Sequence, residues 1–263
     1  MKQGNPIGWR FACGNAKLSG MVHPFPALCA TAGAIGASAT FAWGSVAPSA
    51  QLFGPTIRRT VDPLTIALTF DDGPNPAATP PLLDLLDRHR VQATFFLIGA
   101  WVRRQPSLAK DIAARGHVVG NHTDSHPALT LLSPRRIAHE LDRCDDSIES
   151  ATAQKPRWMR PPFGYRSLLL DRIVRRRGGA GVVMWSASAR DWNPQRTERV
   201  IERLRRAQGG DIVLLHDGDH RVMNSDRCHT VAALQHWLPR WKDSGIRFVA
   251  LDQMQQPDQS GKI

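Results

Sequence analysis

The 263-residue chain contains no stretch that repeats at a period of roughly 20–50 residues, which excludes solenoids and propellers. It has only four cysteines, Cys13, Cys29, Cys144 and Cys228, and none forms a CxxC pair. A cysteine-clustered metal site is therefore excluded, and nothing in the spacing supports a disulfide between Cys144 and Cys228. Cys144 falls with Ile137, Leu141 and Ile148 at helical intervals and reads as a small core hydrophobe. Charge of either sign is missing between Lys17 and Arg58, while Lys2, Arg10 and Lys17 precede the gap. Inside it, "PALCATAGAIGASATFAWGSVAPSA" (residues 26–50) is long enough to cross a bilayer, although it is Ala/Gly-rich and weakly apolar. We read residues 1–60 as a basic segment followed by an uncleaved anchor. A cleavable signal is the rival, since "SVA" and "PSA" offer small residues, but Pro48 spoils both cleavage sites. Met21 as the true start would shorten the basic region.

Acidic residues are in the minority: 23 Asp and Glu stand against 34 Lys and Arg, a formal net charge of +11. Such a balance invites an anionic partner, but most arginines fall at helical spacing in segments such as "RTERVIERLRRAQ", as a solvated surface requires. From about residue 62, short β-rich runs alternate with amphipathic segments. Strands are expected at 65–70, 93–98, 117–121, 157–160, 181–186, 211–216 and 247–251. Helix punctuation is present too: Ser133-Pro134 as a start, Gly116 and Gly245 as stops. The alternation argues an α/β fold, a parallel sheet covered by helices. Patterning alone does not separate a closed barrel from an open doubly wound sheet.

In parallel α/β folds, reacting groups gather where strands run into loops. Here the strand ends deliver Asp71-Asp72, then His122 and His126 in "NHTDSHPAL", Arg160 in "RPPFG", Asp191 and Trp192 in "SARDWN", and His216 in "LLHDGD". Singly, each has a bland explanation: a turn device before Gly-Pro, exposed histidines at i and i+4, a surface cation, a satisfied structural histidine. Together they converge on one sheet edge, which independent accidents do not explain. Two imidazoles and one carboxylate make a three-ligand site for a divalent metal with open positions. Neighbouring residues at a strand end point different ways, so one aspartate of the pair can bind metal while the other stays free as a base toward water.

In these motifs the sequence resembles the NodB-like polysaccharide deacetylases, carbohydrate esterase family 4, over residues 62–252. "TFDDGPN", "HTDSH", "RPPFG", "WSASARDW" and "IVLLHD" appear in the family's order. The resemblance implies a distorted (β/α)7-type barrel of parallel strands with outer helices, occupying residues 61–263. It implies Asp71 as catalytic base, Asp72, His122 and His126 as metal ligands, and Arg160 as the residue that holds the base. It further implies Phe163 as a backbone oxyanion donor, Asp191 and His216 as the acid pair, and Leu214 and Trp192 as substrate contacts. The family often has Tyr where this chain has Phe163, so a phenol contact is lost while a backbone donor survives.

The expected activity is therefore a hydrolase of carbon–nitrogen bonds in linear amides. It would remove N-acetyl groups from a glycan such as a chitooligosaccharide, peptidoglycan or an exopolysaccharide. The alternative is an O-acetyl esterase of the same family acting on xylan. Zinc is the expected ion, with cobalt and nickel compatible with the same ligands. The expected partner is an acetylated glycan, with membrane association through the N-terminal segment and no nucleic acid; the oligomeric state is left open. The expected location is the membrane or the extracytoplasmic side, with the cytoplasm still open. A non-haem Fe(II) oxygenase would leave Asp71, Arg160 and His216 without a task. An anionic-surface binder would interleave aromatics with its basic residues, whereas Trp237 and Trp241 recur with Leu234 and Leu238 at core-like spacing.

Overall fold

The computed structural model describes Met1 and residues 38–254. In chain order the elements are α1 (residues 38–46), β1 (Thr56–Ile57), β2 (Thr65–Gly73), α2 (Thr79–Arg88), β3 (Thr94–Leu97), α3 (Gly99–Arg104), α4 (Pro106–Ala114) and β4 (Val118–Asn121). There follow α5 (Pro134–Thr152), β5 (Trp158–Met159), α6 (Leu170–Arg176), β6 (Gly181–Val183), β7 (Ala187–Ser188), α7 (Thr197–Leu204), β8 (Ile212–His216), α8 (Cys228–Asp243) and β9 (Arg247–Phe248). All seven expected strands form, shortened at most ends. β1 and β7, two residues each, are additions that a periodicity cannot reveal.

The strands form one sheet in the order β1-β6-β5-β4-β3-β2-β8-β7, with β9 added to β2 and every ladder parallel. β6 and β7 lie toward opposite margins of that order, yet only Met184, Trp185 and Ser186 separate them in the chain. The connection reaches at most about 14 Å even fully extended. The sheet must therefore curl until its margins nearly meet, which gives the distorted barrel of parallel strands with helices outside.

The curl gives each strand an inner and an outer face, and side chains alternate between them. On β2, Ile66, Leu68 and Phe70 join the large cluster beneath the helices, as do Val213 and Leu215 of β8. The intervening Ala67 and Ile212 join Phe96, Trp158 and Val183 inside the curl. Continued by twos, the inner face runs through Thr69 to Asp71 on β2, and through Leu214 to His216 on β8. This alternation aims the base and acid candidates into one space at the C-terminal end of the sheet.

The helices close the outer face as their sequences require. α5 starts with the Ser133 hydroxyl accepting a hydrogen bond from the Arg136 N–H at 3.4 Å and Pro134 in its first turn. Its Ile137, Leu141, Cys144 and Ile148 are buried. Gly116 and Gly245, at φ +82° and +81°, follow α4 and α8 in the left-handed conformation. Cys144 is buried and Cys228 exposed, and both are free thiols; Cys13 and Cys29 lie outside the described residues. Trp237 and Trp241 stack at 5.5 Å within the packing of α8, not on a basic face.

Residues ahead of position 61 contribute to the compact unit. The compact unit begins at Phe41, and β1 contributes an edge strand beside β6. The reason is Arg166, 2% exposed, whose guanidinium donates to the carbonyls of Gly44 (2.8 Å), Ala47 (2.7 Å) and Ala50 (2.6 Å). The Ser45 hydroxyl returns a bond to the Arg166 carbonyl at 3.0 Å. Residues 44–50, the end of the anchor-like stretch, are thereby tied to the unit that carries the sheet. Residues 26–37 of that stretch lie outside the described residues. Among the described residues no helix is long and apolar enough to cross a membrane.

Arg166→Met keeps the aliphatic stem and leaves three carbonyls without their donor. It should lower stability by on the order of 3 kcal/mol, seen as a lower urea midpoint with unchanged slope. An unaltered midpoint would mean that the segment is held by other contacts.

Candidate active site

Simple alternation would turn Asp72 away from Asp71, toward the helices. Instead, the β2–β3 register slips: Asp71 pairs with Phe96 and Gly73 with Leu97, leaving Asp72 as the extra residue of a bulge. Its φ of +72° lies in the left-handed region, where aspartate is among the better-tolerated side chains. Both carboxylates consequently line one cleft of ≈ 410 Å³. Thr123 (φ +70°), His126 (+58°) and Phe163 (+58°) share this conformation. The site thus stores backbone strain at four positions, as binding and catalytic sites often do.

Asp72, His122 and His126 offer one donor atom each within 4.8 Å of one another. Both Nε2 atoms face the same carboxylate oxygen, Asp72 Oδ1, at 3.4 Å from His122 and 3.2 Å from His126. That buried oxygen accepts no hydrogen bond, an arrangement that costs stability unless a cation answers it. His122 donates from Nδ1 to the Arg160 carbonyl at 2.8 Å, so its Nε2 lone pair is directed inward as a metal ligand requires. Burial opposes charge on Asp72, but the imidazoles of His122, His126 and His220 hold its carboxyl well below the usual range. His122 is pushed up against its own burial by the Asp71 and Asp72 carboxylates. One carboxylate and two neutral imidazoles fit a divalent ion in charge and donor type.

Arg160 is fully buried and spends its guanidinium on the base candidate and the curl itself. Nη1 donates to Asp71 Oδ1 (2.9 Å) and Thr69 Oγ1 (2.7 Å); Nη2 donates to the Met184 carbonyl (3.1 Å). Its cation also lies 4.4 Å over the Phe96 ring. Asp71 Oδ2 stays free of Arg160, at 3.8 Å from His122 Nε2. At the end of β8, His216 donates from Nδ1 to Asp191 Oδ1 (2.9 Å), and its backbone N–H donates to Asp191 Oδ2 (2.9 Å). Thr230 Oγ1 adds a third bond to that carboxylate at 2.8 Å. Although burial resists the charge, Asp191 raises the His216 pKa to about 9. Leu214 is buried in the cleft wall. Trp192 stands at the rim, its ring 6.0 Å from that of His216, and Phe163 turns its edge to His126 at 4.6 Å. Every expected site residue except Arg160 and Asp191 lines the cleft, and those two stand directly behind it.

Several neighbours escaped the sequence reading. His220, Arg221, Tyr165 and Trp185 line the same cleft. His220 carried a readable signal, a third histidine in a strand-end loop, four residues past His216. Asp217 is buried against Thr79 Oγ1, with a pKa pushed up to about 7 by burial. It backs the turn at Gly73, where a Cβ would meet its carboxylate at 2.4 Å. No local pattern reveals such a contact.

Comparison with known proteins adds the family. Residues 58–181 match the model described as polysaccharide deacetylase. A peptidoglycan-N-acetylglucosamine deacetylase of Bacillus cereus is 38% identical over 191 residues, covering 72% of this chain and 87% of that protein. The chain belongs to the polysaccharide deacetylase family. A chitooligosaccharide deacetylase of a Bradyrhizobium species is likewise 38% identical over 200 residues, covering 72% of this deacetylase and 90% of its relative. Among solved structures, a peptidoglycan N-acetylglucosamine deacetylase in complex with a naphthalenyl N-hydroxybenzamide has TM-score 0.70 at 30% identity, covering 76% of this chain and 92% of that one. This deacetylase is thus a hydrolase on the family's curled parallel sheet.

The raised His216 pKa has a definite sign. A group titrating near 6.5 unfolded and about 9 folded stabilises the chain fully below about pH 6.5, and that contribution is lost as pH rises through about 9. In the metal-free deacetylase, the His216 ring signals should titrate near 9 by NMR. In Asp191→Asn they should titrate at clearly lower pH, because only the more distant Asp72 and Asp71 carboxylates then oppose burial. A His216 that titrates alike in both proteins would remove Asp191 as the cause.

Proposed function

We propose that this deacetylase hydrolyses N-acetyl groups of N-acetylglucosamine units in a glycan of the chitooligosaccharide or peptidoglycan type, releasing acetate and a free amine. The substrate class rests on what the two relatives are named for. The reaction rests above all on the buried His216–Asp191 pair. An amine cannot leave as its anion, so an amidase needs a proton held ready at nitrogen. An ester oxygen leaves far more easily, and an imidazole held protonated favours N- over O-deacetylation.

Asp72, His122 and His126 would hold one divalent ion, with zinc suited to this donor set. When bound, such an ion makes water more acidic and polarises a carbonyl oxygen. Asp71, fixed through Oδ1 by Arg160, presents Oδ2 to take a proton from the attacking water. His216, bonded to Asp191 through Nδ1, delivers its proton from Nε2 to the departing nitrogen as the carbon–nitrogen bond breaks. The Phe163 N–H is proposed as a donor to the developing oxyanion, where one such bond is worth about 10²–10³ in turnover. Leu214 offers an apolar wall to the acetyl methyl, and Trp192 a rim surface on which a sugar ring can lie.

Asp71→Asn removes the proton acceptor without touching the ion's donors. It should bind zinc at one equivalent and lose about 10²–10⁴-fold in acetate release from acetylated glucosamine oligomers or peptidoglycan. Acetate release unchanged from the wild type would take the base role from Asp71. Faster release from acetylated xylan than from either amide substrate would overturn the assignment to N-acetyl groups.

A further inference from the structure

The two histidines of the Asp72 cluster are not held alike. His122 is oriented by the bond from its Nδ1 to the Arg160 carbonyl. His126 has no such partner: its Nδ1 is buried and makes no hydrogen bond. Its ring is gripped by packing instead. Phe163 stands edge-on at 4.6 Å and 76°, and the His220 ring lies over it at 4.2 Å and 18°. A ligating histidine ordinarily donates its second nitrogen to an orienting acceptor, and here a stacked imidazole stands in that role.

His220 also addresses Asp72. Arg221 donates from Nε to His220 Nε2 at 3.2 Å, which leaves the imidazole proton on Nδ1 in the neutral ring. That Nδ1 faces Asp72 Oδ2 at 3.8 Å, the carboxylate oxygen opposite the one facing His122 and His126. The loop that carries His220 is anchored. Buried Arg227 donates to the Gly218 carbonyl (2.8 Å) and to Asp219 Oδ2 (3.1 Å), and the Trp101 indole N–H donates to the Asp219 carbonyl (3.1 Å). His220 is not itself a ligand alongside His126. An imidazole holds an ion close to its own ring plane, and two stacked rings with centroids 4.2 Å apart and planes within 18° of parallel share no point within bonding reach of both.

We propose that His220 is a positioning residue of the metal site, clamping the His126 ring by stacking on it, with its Nδ1 turned toward the outer oxygen of Asp72. The inference rests on reading Asp72, His122 and His126 as the metal donors. It is tested on the full chain by competing Zn²⁺ against a chromogenic chelator, with urea melts in chelator as a control for folding. His220→Ala should weaken zinc binding about 10–100-fold, with the chelator-treated urea midpoint unchanged. The visible spectrum of the Co²⁺-loaded variant should keep the wild-type band intensity, because no donor to the ion is lost. Zinc affinity within threefold of wild type overturns the proposal. So does a cobalt spectrum showing a lost nitrogen donor, since His220 would then be a ligand. A wild-type chain that takes up no zinc overturns this inference together with the ligand assignment beneath it.

Discussion

Adjacent residues of a strand face opposite ways, so two neighbouring carboxylates can serve one cleft only where the strand breaks its own alternation. The bulge at Asp72 is that break. Asp71 keeps the inner-face position set by Ala67 and Thr69, while the left-handed backbone at Asp72 turns the next carboxylate into the same space. A regular strand would deliver one acid to the site and bury the other under helices. The proposed division of labour between a fixed acceptor and an ion-holding carboxylate therefore begins as a backbone event. Asp217 and Gly218 close around it: a Cβ on Gly218 would meet the Asp72 carbonyl at 2.0 Å, so this crossing admits only glycine.

Electrostatics then separates the two carboxylates. Asp71 is given a permanent cation, Arg160, whose remaining donors are spent on Thr69, Val183 and Met184, so that it belongs to the barrel seam as much as to the site. Asp72 is given only imidazoles and keeps a buried oxygen with no hydrogen bond. One acid is satisfied by the protein, and the other keeps an oxygen that could take an ion. Across the cleft, Asp191 is saturated by His216, Thr230 and the His216 backbone, which fixes the imidazole's orientation and its charge together. Removing any of these buried partners leaves another charge exposed to a low dielectric, so the site's polar groups stand or fall in pairs.

The sheet and its functional edge were legible in the sequence because both rest on local patterns. β-rich runs alternating with amphipathic segments gave the strands that matter, and Asp71, His122, Arg160 and His216 stand at or just past their ends. What escaped depends on geometry that such patterns do not encode. Alternation implied that Asp71 and Asp72 diverge, and only the register slip brings them together. β1 and β7 are too short to show a period. Arg166 lies more than a hundred residues from the carbonyls it binds, so its hold on residues 44–50 left no local trace. His220 was visible as a residue, but its role depends on a stacking angle and on the proton position set by Arg221.

The central claim is that one divalent ion is held by Asp72, His122 and His126, with Asp71 beside it and free. Anomalous diffraction at the zinc edge from crystals of the zinc-loaded full chain tests it most directly. The account requires a single peak about 2.0–2.2 Å from an Asp72 oxygen and from Nε2 of both histidines, with Asp71 still bonded to Arg160. A peak elsewhere in the cleft, or one coordinated by Asp71 in place of Asp72, would contradict it.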